Sequence, residues 1–178
     1  MPSAGWPIAR AHSFILSSCI GLLPHLPFWS RQVRLAEFTL RRAVAEDRAA
    51  IRALVRQGRV NPFGLDWRRF VVVTTSSGEV IGCGQVKRHA DGSRELASLV
   101  VREDYRGRGV ARCIIEHFLA GNPPPLYLMC RASLRAFYAR FGFRPLSPDE
   151  MPPYFRRVAR LARWLRQSDD ALLVMRWP

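Results

Sequence analysis

The run Glu95-Leu-Ala-Ser-Leu-Val-Val101 is apolar at both alternating positions after its glutamate, and it leads directly into Arg106-Gly-Arg-Gly109. A strand with no polar face must be covered on both sides, so it belongs in the middle of a sheet with helices above and below. The next segment, Val110 to Ala120, carries Ile114, Ile115, Phe118 and Leu119 at helical spacing and stops at Gly121-Asn122 and three prolines. Between strand and helix, two glycines let the main chain approach a ligand in conformations closed to other residues. That leaves free N–H groups at a helix N-terminus, an arrangement suited to an anion such as a phosphate. An ordinary strand-to-helix turn that needs glycine only for its geometry explains the same spacing.

Two familiar phosphate loops do not fit. A dinucleotide fingerprint starting at Gly107 requires a small residue where Arg112 stands, and no Gly-Lys followed by Ser or Thr exists for a Walker loop. The other elements read in order. Thr39 to Ala43 is a strand, Glu46 to Gln57 a helix closed by Gly58, and Leu65 to Arg69 a short helical turn after Asn61-Pro62-Phe63-Gly64. Phe70 to Thr75 and Val80 to Lys87 form a hairpin through Ser76-Ser77-Gly78-Glu79, and a turn at Asp91-Gly92-Ser93 leads to the central strand. Leu126 to Cys130 is a strand, Leu134 to Phe141 a helix, Phe143 to Leu146 a strand, Tyr154 to Gln167 a basic amphipathic helix and Ala171 to Arg176 a closing strand. The pattern predicts an α/β (α+β) domain, a mixed sheet flanked by helices.

The segment from Val101 to Ala111 resembles the acetyl-CoA signature of the GNAT superfamily of N-acetyltransferases, [Q/R]-x-x-G-x-[G/A], with Arg106, Gly109 and Ala111 on its fixed positions. Phe137-Tyr138-Ala-Arg-Phe141-Gly142-Phe143 is similar to a second element of that family, and the likeness covers Leu35 to about Leu146. Residues 61–70 also resemble a bacterial and plastid-type subgroup, which fixes no acceptor. The resemblance implies a mostly antiparallel sheet of about seven strands, splayed between the fourth and fifth, over residues 35–178. It implies that acetyl-CoA is the acetyl donor. The amides of Gly107, Arg108, Gly109, Val110, Ala111 and Arg112, with Arg106, would hold its pyrophosphate. Leu99, Val100 and Val101 would pair with its pantetheine arm.

Amide formation needs a neutral amine, and an alkylamine is mostly protonated at neutral pH, so a group must accept its proton. Glu95 is the candidate: strict alternation puts it on one face with Ala97, Leu99 and Val101, and an apolar surround raises a carboxyl pKa. It stands eleven residues before Arg106, where bases of the family recur. A solvent pairing with Arg94 or Arg88 is the plainer alternative. His89 and Glu103 are substitutes, His89 being expected to point outward from its turn. By resemblance, Tyr138 would protonate the departing sulfur, and a backbone N–H within Leu99 to Val101 would stabilise the oxyanion. Many relatives carry Asn shortly after the fifth strand, where this chain has Cys130-Arg-Ala-Ser133, so only Ser133 is left for those contacts. Cys130 allows an acyl-cysteine scheme, but a buried strand-end thiol explains it equally.

With 178 residues and 48% apolar content, the chain suits one domain. Cys19, Cys83, Cys113 and Cys130 have neither C-x-x-C spacing nor histidine neighbours, which argues against a metal site or disulfide framework and for a cytoplasmic setting. Residues 1–34 read as an extension outside the domain: a disordered tail, a non-native start, or an Arg- and Ser-rich, acid-poor transit peptide that would make the protein organellar. Its apolar run from Phe14 to Leu23, followed by Pro24, is too short to span a bilayer.

The net charge is +14, and every basic residue except Lys87 is arginine. Arg156, Arg157, Arg160, Arg163 and Arg166 face away from Phe155, Val158, Leu161, Ala162 and Leu165 in the penultimate helix, which fits packing on the sheet with a solvated face. The reading is therefore an acetyltransferase acting through a ternary complex on a small-molecule or peptide amine, as monomer or homodimer, without a metal or specific nucleic acid. Two alternatives stay open: a non-catalytic acyl-CoA-binding module, and an arginine-rich membrane- or nucleic-acid-binding protein.

Overall fold

The computed structural model describes residues 33–35, 37–165 and 171–178. Residues 1–32, which make up nearly all of the expected N-terminal extension, lie outside the described residues, as do Arg166 and Gln167 of the penultimate helix. In chain order the strands are β1 (Val33–Leu35), β2 (Phe38–Arg42), β3 (Phe70–Thr75), β4 (Val80–Arg88), β5 (Arg94–Val101), β6 (Leu126–Arg131), β7 (Arg144–Pro145) and β8 (Leu172–Trp177). The helices are α1 (Arg48–Gln57), α2 (Val110–Gly121), α3 (Arg135–Ala139) and α4 (Pro153–Leu165).

The sheet runs β1-β2-β3-β4-β5-β6-β8-β7. All neighbours are antiparallel except β5 and β6, whose parallel ladder is confined to Glu95 opposite Tyr127. Beyond that pair the two strands part, so the expected splay opens toward Val101 and Arg131. The seven expected strands are present, and Val33–Leu35 adds an eighth at the edge.

Alternation along the strands sorts the core into two layers. Val71 and Val73 pack with α2 through Val110, Ile114, Ile115 and Phe118, and with Tyr138 of α3. Phe70, Val72, Cys83 and Val100 pack with α1 through Ile51, Leu54 and Val55. On that second face α4 covers the far end of the sheet through Phe155, with Tyr127, Met129 and Val174. Ile81, Ile114, Ile115 and Phe155 are fully buried, each stabilising the fold by about 1.5–3 kcal/mol relative to exposure. Gly82 and Gly84 let α2 press onto the sheet: a Cβ on Gly82 would stand 2.8 Å from Val110 Cγ1, and one on Gly84 2.9 Å from Ile114 Cγ2.

Several elements are shorter than periodicity predicts. The turn after residue 64 is a 3-10 turn, Trp67–Arg69, and the third helix shrinks to Arg135–Ala139 behind a 3-10 turn, Ala132–Leu134. The following strand keeps only Arg144–Pro145, since Ser147 caps a turn with Glu150. In α4, Leu161 is not covered by the sheet as expected; it is exposed, as is Trp164, while Phe155 supplies the buried contact. No helix among the described residues is long and apolar enough to cross a membrane.

Candidate active site

The loop from β5 to α2 forms a 3-10 turn, Glu103–Tyr105, and then passes through Gly107 and Gly109 at φ 78° and 83°. Both angles lie in the left-handed region that disfavours a side chain. Nothing stands within 4 Å of a Cβ placed on either residue, so the space above them is open. Gly109 is the N-cap of α2 and offers no side-chain cap, leaving the first N–H groups of a twelve-residue helix unclaimed by it. Arg106 and Arg108 are exposed beside them, Arg108 over the ring of Tyr105 at 5.1 Å. Glu103, a substitute base in the sequence reading, sits on this loop and pairs with Arg106. Open space, helix amides and guanidiniums together suit a phosphate-bearing group.

The central strand carries a β-bulge. Gln85 lies opposite Ala97 but Cys83 lies opposite Val100, so one extra residue is accommodated around Ser98, whose φ is 54°. Its carbonyl faces the Cys83 thiol and its hydroxyl accepts from Gln85 Nε2 at 3.1 Å. The bulge corrects the expected facing of Glu95. Leu99 and Val101 pack on the α2 side and Val100 on the α1 side, whereas Glu95 shares the α1 side with Lys87, its register partner.

Nor does Glu95 pair with Arg94 or Arg88. It is buried, and its carboxylate lies 2.8 Å from His89 Nε2. His89 therefore points inward, contrary to expectation, because its ring stacks on Tyr154 at 3.5 Å and meets Phe155 edge-on. Burial pushes the Glu95 pKa above the usual carboxylate range, although His89 and Lys87 pull against it. Lys87 donates to the Phe63 carbonyl at 2.7 Å, and burial lowers its pKa. Gln85 donates to the Gly64 carbonyl at 3.3 Å, while its buried Oε1 has no partner. Gln85, Lys87 and His89 were not singled out as a group in the sequence, yet their spacing at alternate positions, two at the end of a strand that is apolar up to Gly84 and one just past it, was a visible signal.

Tyr138 lies on the α2 side near Cys130, and burial, with the Cys130 thiol adding to it, pushes its pKa well above 10. Its hydroxyl therefore stays protonated over the ordinary pH range. Ser133 is exposed in the 3-10 turn at the end of β6, by the open end of the splay. Cys130 is buried with its sulfur 3.7 Å from that of Met175, and Cys83 is raised by burial to about 12. No group of three or more metal-ligating side chains occurs among the described residues.

Comparison with solved structures places this architecture. N-acetylglutamate synthase from Neisseria gonorrhoeae, complexed with coenzyme A and N-acetyl-glutamate, superimposes with a TM-score of 0.63 at 20% identity. The match covers 82% of this chain and 36% of that one, so the present chain spans little more than a third of that protein. Rv2747 from Mycobacterium tuberculosis, in complex with CoA, gives 0.56 at 20% identity, over 76% of this chain and 96% of that one. The ribosomal-protein-S18-alanine N-acetyltransferase from Escherichia coli gives 0.55 at 18% identity, over 79% and 93%. No curated protein matches the sequence. Residues 66–145 match the family model described as "Acetyltransferase (GNAT) domain". That stretch holds the bulged strand, the glycine cradle and both arms of the splay, and it is similar to a GNAT acetyltransferase domain, while the solved structures share the GNAT fold around it.

Proposed function

We propose that the protein transfers the acetyl group of acetyl-CoA to a primary amine by direct attack within a ternary complex. The observation that carries this reading is the pairing of an uncapped helix N-terminus behind two left-handed glycines with a gap between the only parallel strands of the described sheet. The amides of residues 107–112, with Arg106, hold the pyrophosphate, and Leu99, Val100 and Val101 line the pantetheine arm. Ser133 contacts the arm from the far side of the gap.

Glu95 takes the proton of the acceptor ammonium. The bulge lies three residues away, about 10 Å along the strand at roughly 3.3 Å per residue, so the proton travels through water. An N–H of the bulged segment meets the developing oxyanion, where a fixed dipole in a dry site is worth most. Tyr138, protonated and next to the gap, donates to the departing sulfur. Cys83 and Cys130 serve as core side chains.

Calorimetry tests the reading: titration of coenzyme A into the folded protein should give saturable, one-to-one heat, and acetyl-CoA plus an acceptor should release free thiol. Absence of heat with monodisperse protein overturns it.

A further inference from the structure

Paired arginines occur on both faces of the sheet, Arg41 with Asp47 on the α1 side among them. On the cradle side, Arg102 pairs with Glu79 and Asp104, Arg106 with Glu103, and Arg112 with Glu116. On the opposite side, Arg52 and Arg56 of α1 and Arg59 just beyond it have no carboxylate within salt-bridge distance among the described residues. These three line a cavity of about 490 Å³ whose remaining walls are apolar, Val55, Val60 and Leu65 among them.

Two features tie this cavity to the gap between β5 and β6. The end of α1 touches the central strand at Gly58, where a Cβ would stand 2.8 Å from Val100 Cγ1. Val100 belongs to the bulged segment. Because that contact occupies the glycine, the next residue takes the left-handed turn instead: Arg59 holds a φ of 50°, a conformation that non-glycine residues avoid. A bulky side chain kept at such a backbone position points to a use for it.

We infer that the cavity is an anion subsite for the acceptor, and that the amine acetylated is a small molecule bearing a carboxylate, such as an amino acid. This rests on the ternary-complex reading above. In that reading the phosphates of CoA lie at the N-terminus of α2, on the other face, so the α1-side guanidiniums remain for the second substrate. The same loop carries the Phe63 carbonyl bound by Lys87, whose ammonium adds to the positive field beside Glu95. Among the acids nearby, Asp66 is already engaged by Arg68 and Arg69. A polyamine or a lysine-rich peptide would enter this field against repulsion, whereas a carboxylate would be drawn into it.

Thiol release is measured with acetyl-CoA and matched acceptors: glutamate, aspartate, alanine and phenylalanine, each beside the analogue in which every carboxylate is a carboxamide, with spermidine and a lysine peptide as cationic probes. At least one carboxylate should exceed its carboxamide about tenfold in kcat/KM, and its KM should rise about tenfold in Arg56→Gln while the KM for acetyl-CoA holds. Arg59→Gly relieves the backbone angle and removes the charge, so it should melt no lower than the parent and still show the raised acceptor KM. Equal turnover of carboxylate and carboxamide, preference for spermidine or the peptide, turnover of none of the probes by protein that binds CoA, or unchanged acceptor KM in both variants overturns the inference. Loss of CoA binding itself would instead overturn the reading on which it rests.

Discussion

His89 Nε2 and Glu95 Oε2 lie 2.8 Å apart, with side chains only 10% and 8% exposed, and the rings of Tyr154 and Phe155 close over the imidazole. The carboxylate proposed as base is therefore held by a neighbour just past the end of the adjoining strand β4 and shielded by α4.

Replacing Glu95 by Gln should lower thiol release about 10²-fold, within the range for loss of a general base. The heat of CoA binding should not change. Because burial raises the Glu95 pKa, the acid limb of the rate should lie above the usual carboxylate range, the rate falling as pH drops through it. A pH profile of kcat/KM for wild type and E95Q checks both points, the variant lacking that limb.

The same substitution should raise the melting temperature near pH 8. A raised carboxyl pKa means the folded protein binds this proton more tightly than the unfolded chain, so Glu95 favours folding at low pH and works against it once pH passes the folded value. Melting curves should show an advantage for E95Q at pH 8 that shrinks on acidification.

Tyr138→Phe should cost about 10- to 100-fold in kcat if its hydroxyl meets the leaving sulfur. The ring contacts with Phe137 and Phe143 survive the change, so the melting temperature should move little. Steady-state kinetics beside a thermal melt separates the two effects.

Gly82→Ala should weaken CoA binding without touching the cofactor loop. Its methyl would stand 2.8 Å from Val110 Cγ1, in the first turn of α2, so the helix must shift and its amides with it. Overpacking of this kind costs about 1–3 kcal/mol. Calorimetry should register reduced affinity together with a lowered melting temperature.

Asp47→Asn tests the frame rather than the chemistry. Burial disfavours the Asp47 carboxylate, but two bonds from Arg41 at 2.6 and 2.9 Å and the Val44 N–H outweigh it and hold its pKa below the ordinary range. A depressed carboxyl pKa stabilises above the unfolded value of 3.8, and that contribution fades as pH falls through the folded value. Denaturant unfolding at pH 7 should show a loss of about 2 kcal/mol, the worth of hydrogen bonds to a charged group, shrinking below about pH 4.

Strand order and the cradle were legible because β-branched runs and paired glycines act locally, and Phe70–Thr75 has the bounds its composition predicts. The facing of Glu95 was not, since strict alternation assumes an unbroken ladder and Ser98 inserts a residue into it. Gly82 and Gly84 gave no local cue, as their meaning depends on Val110 and Ile114 of a helix that lies beyond the next strand. The inward facing of His89 was hidden because the ring it stacks on, Tyr154, is distant in sequence. Leu161 fitted an apolar stripe whose width the sheet does not fully cover.

The extra residue at Ser98 reverses the meaning of odd and even along its own strand. A substrate arriving from the α1 side meets odd-numbered positions upstream, at Glu95 and Ala97, and an even-numbered one downstream, at Val100. Any programme that randomises this strand to change acceptor preference must switch parity midway, or half of its library will alter the α2-facing side proposed to hold the cofactor instead.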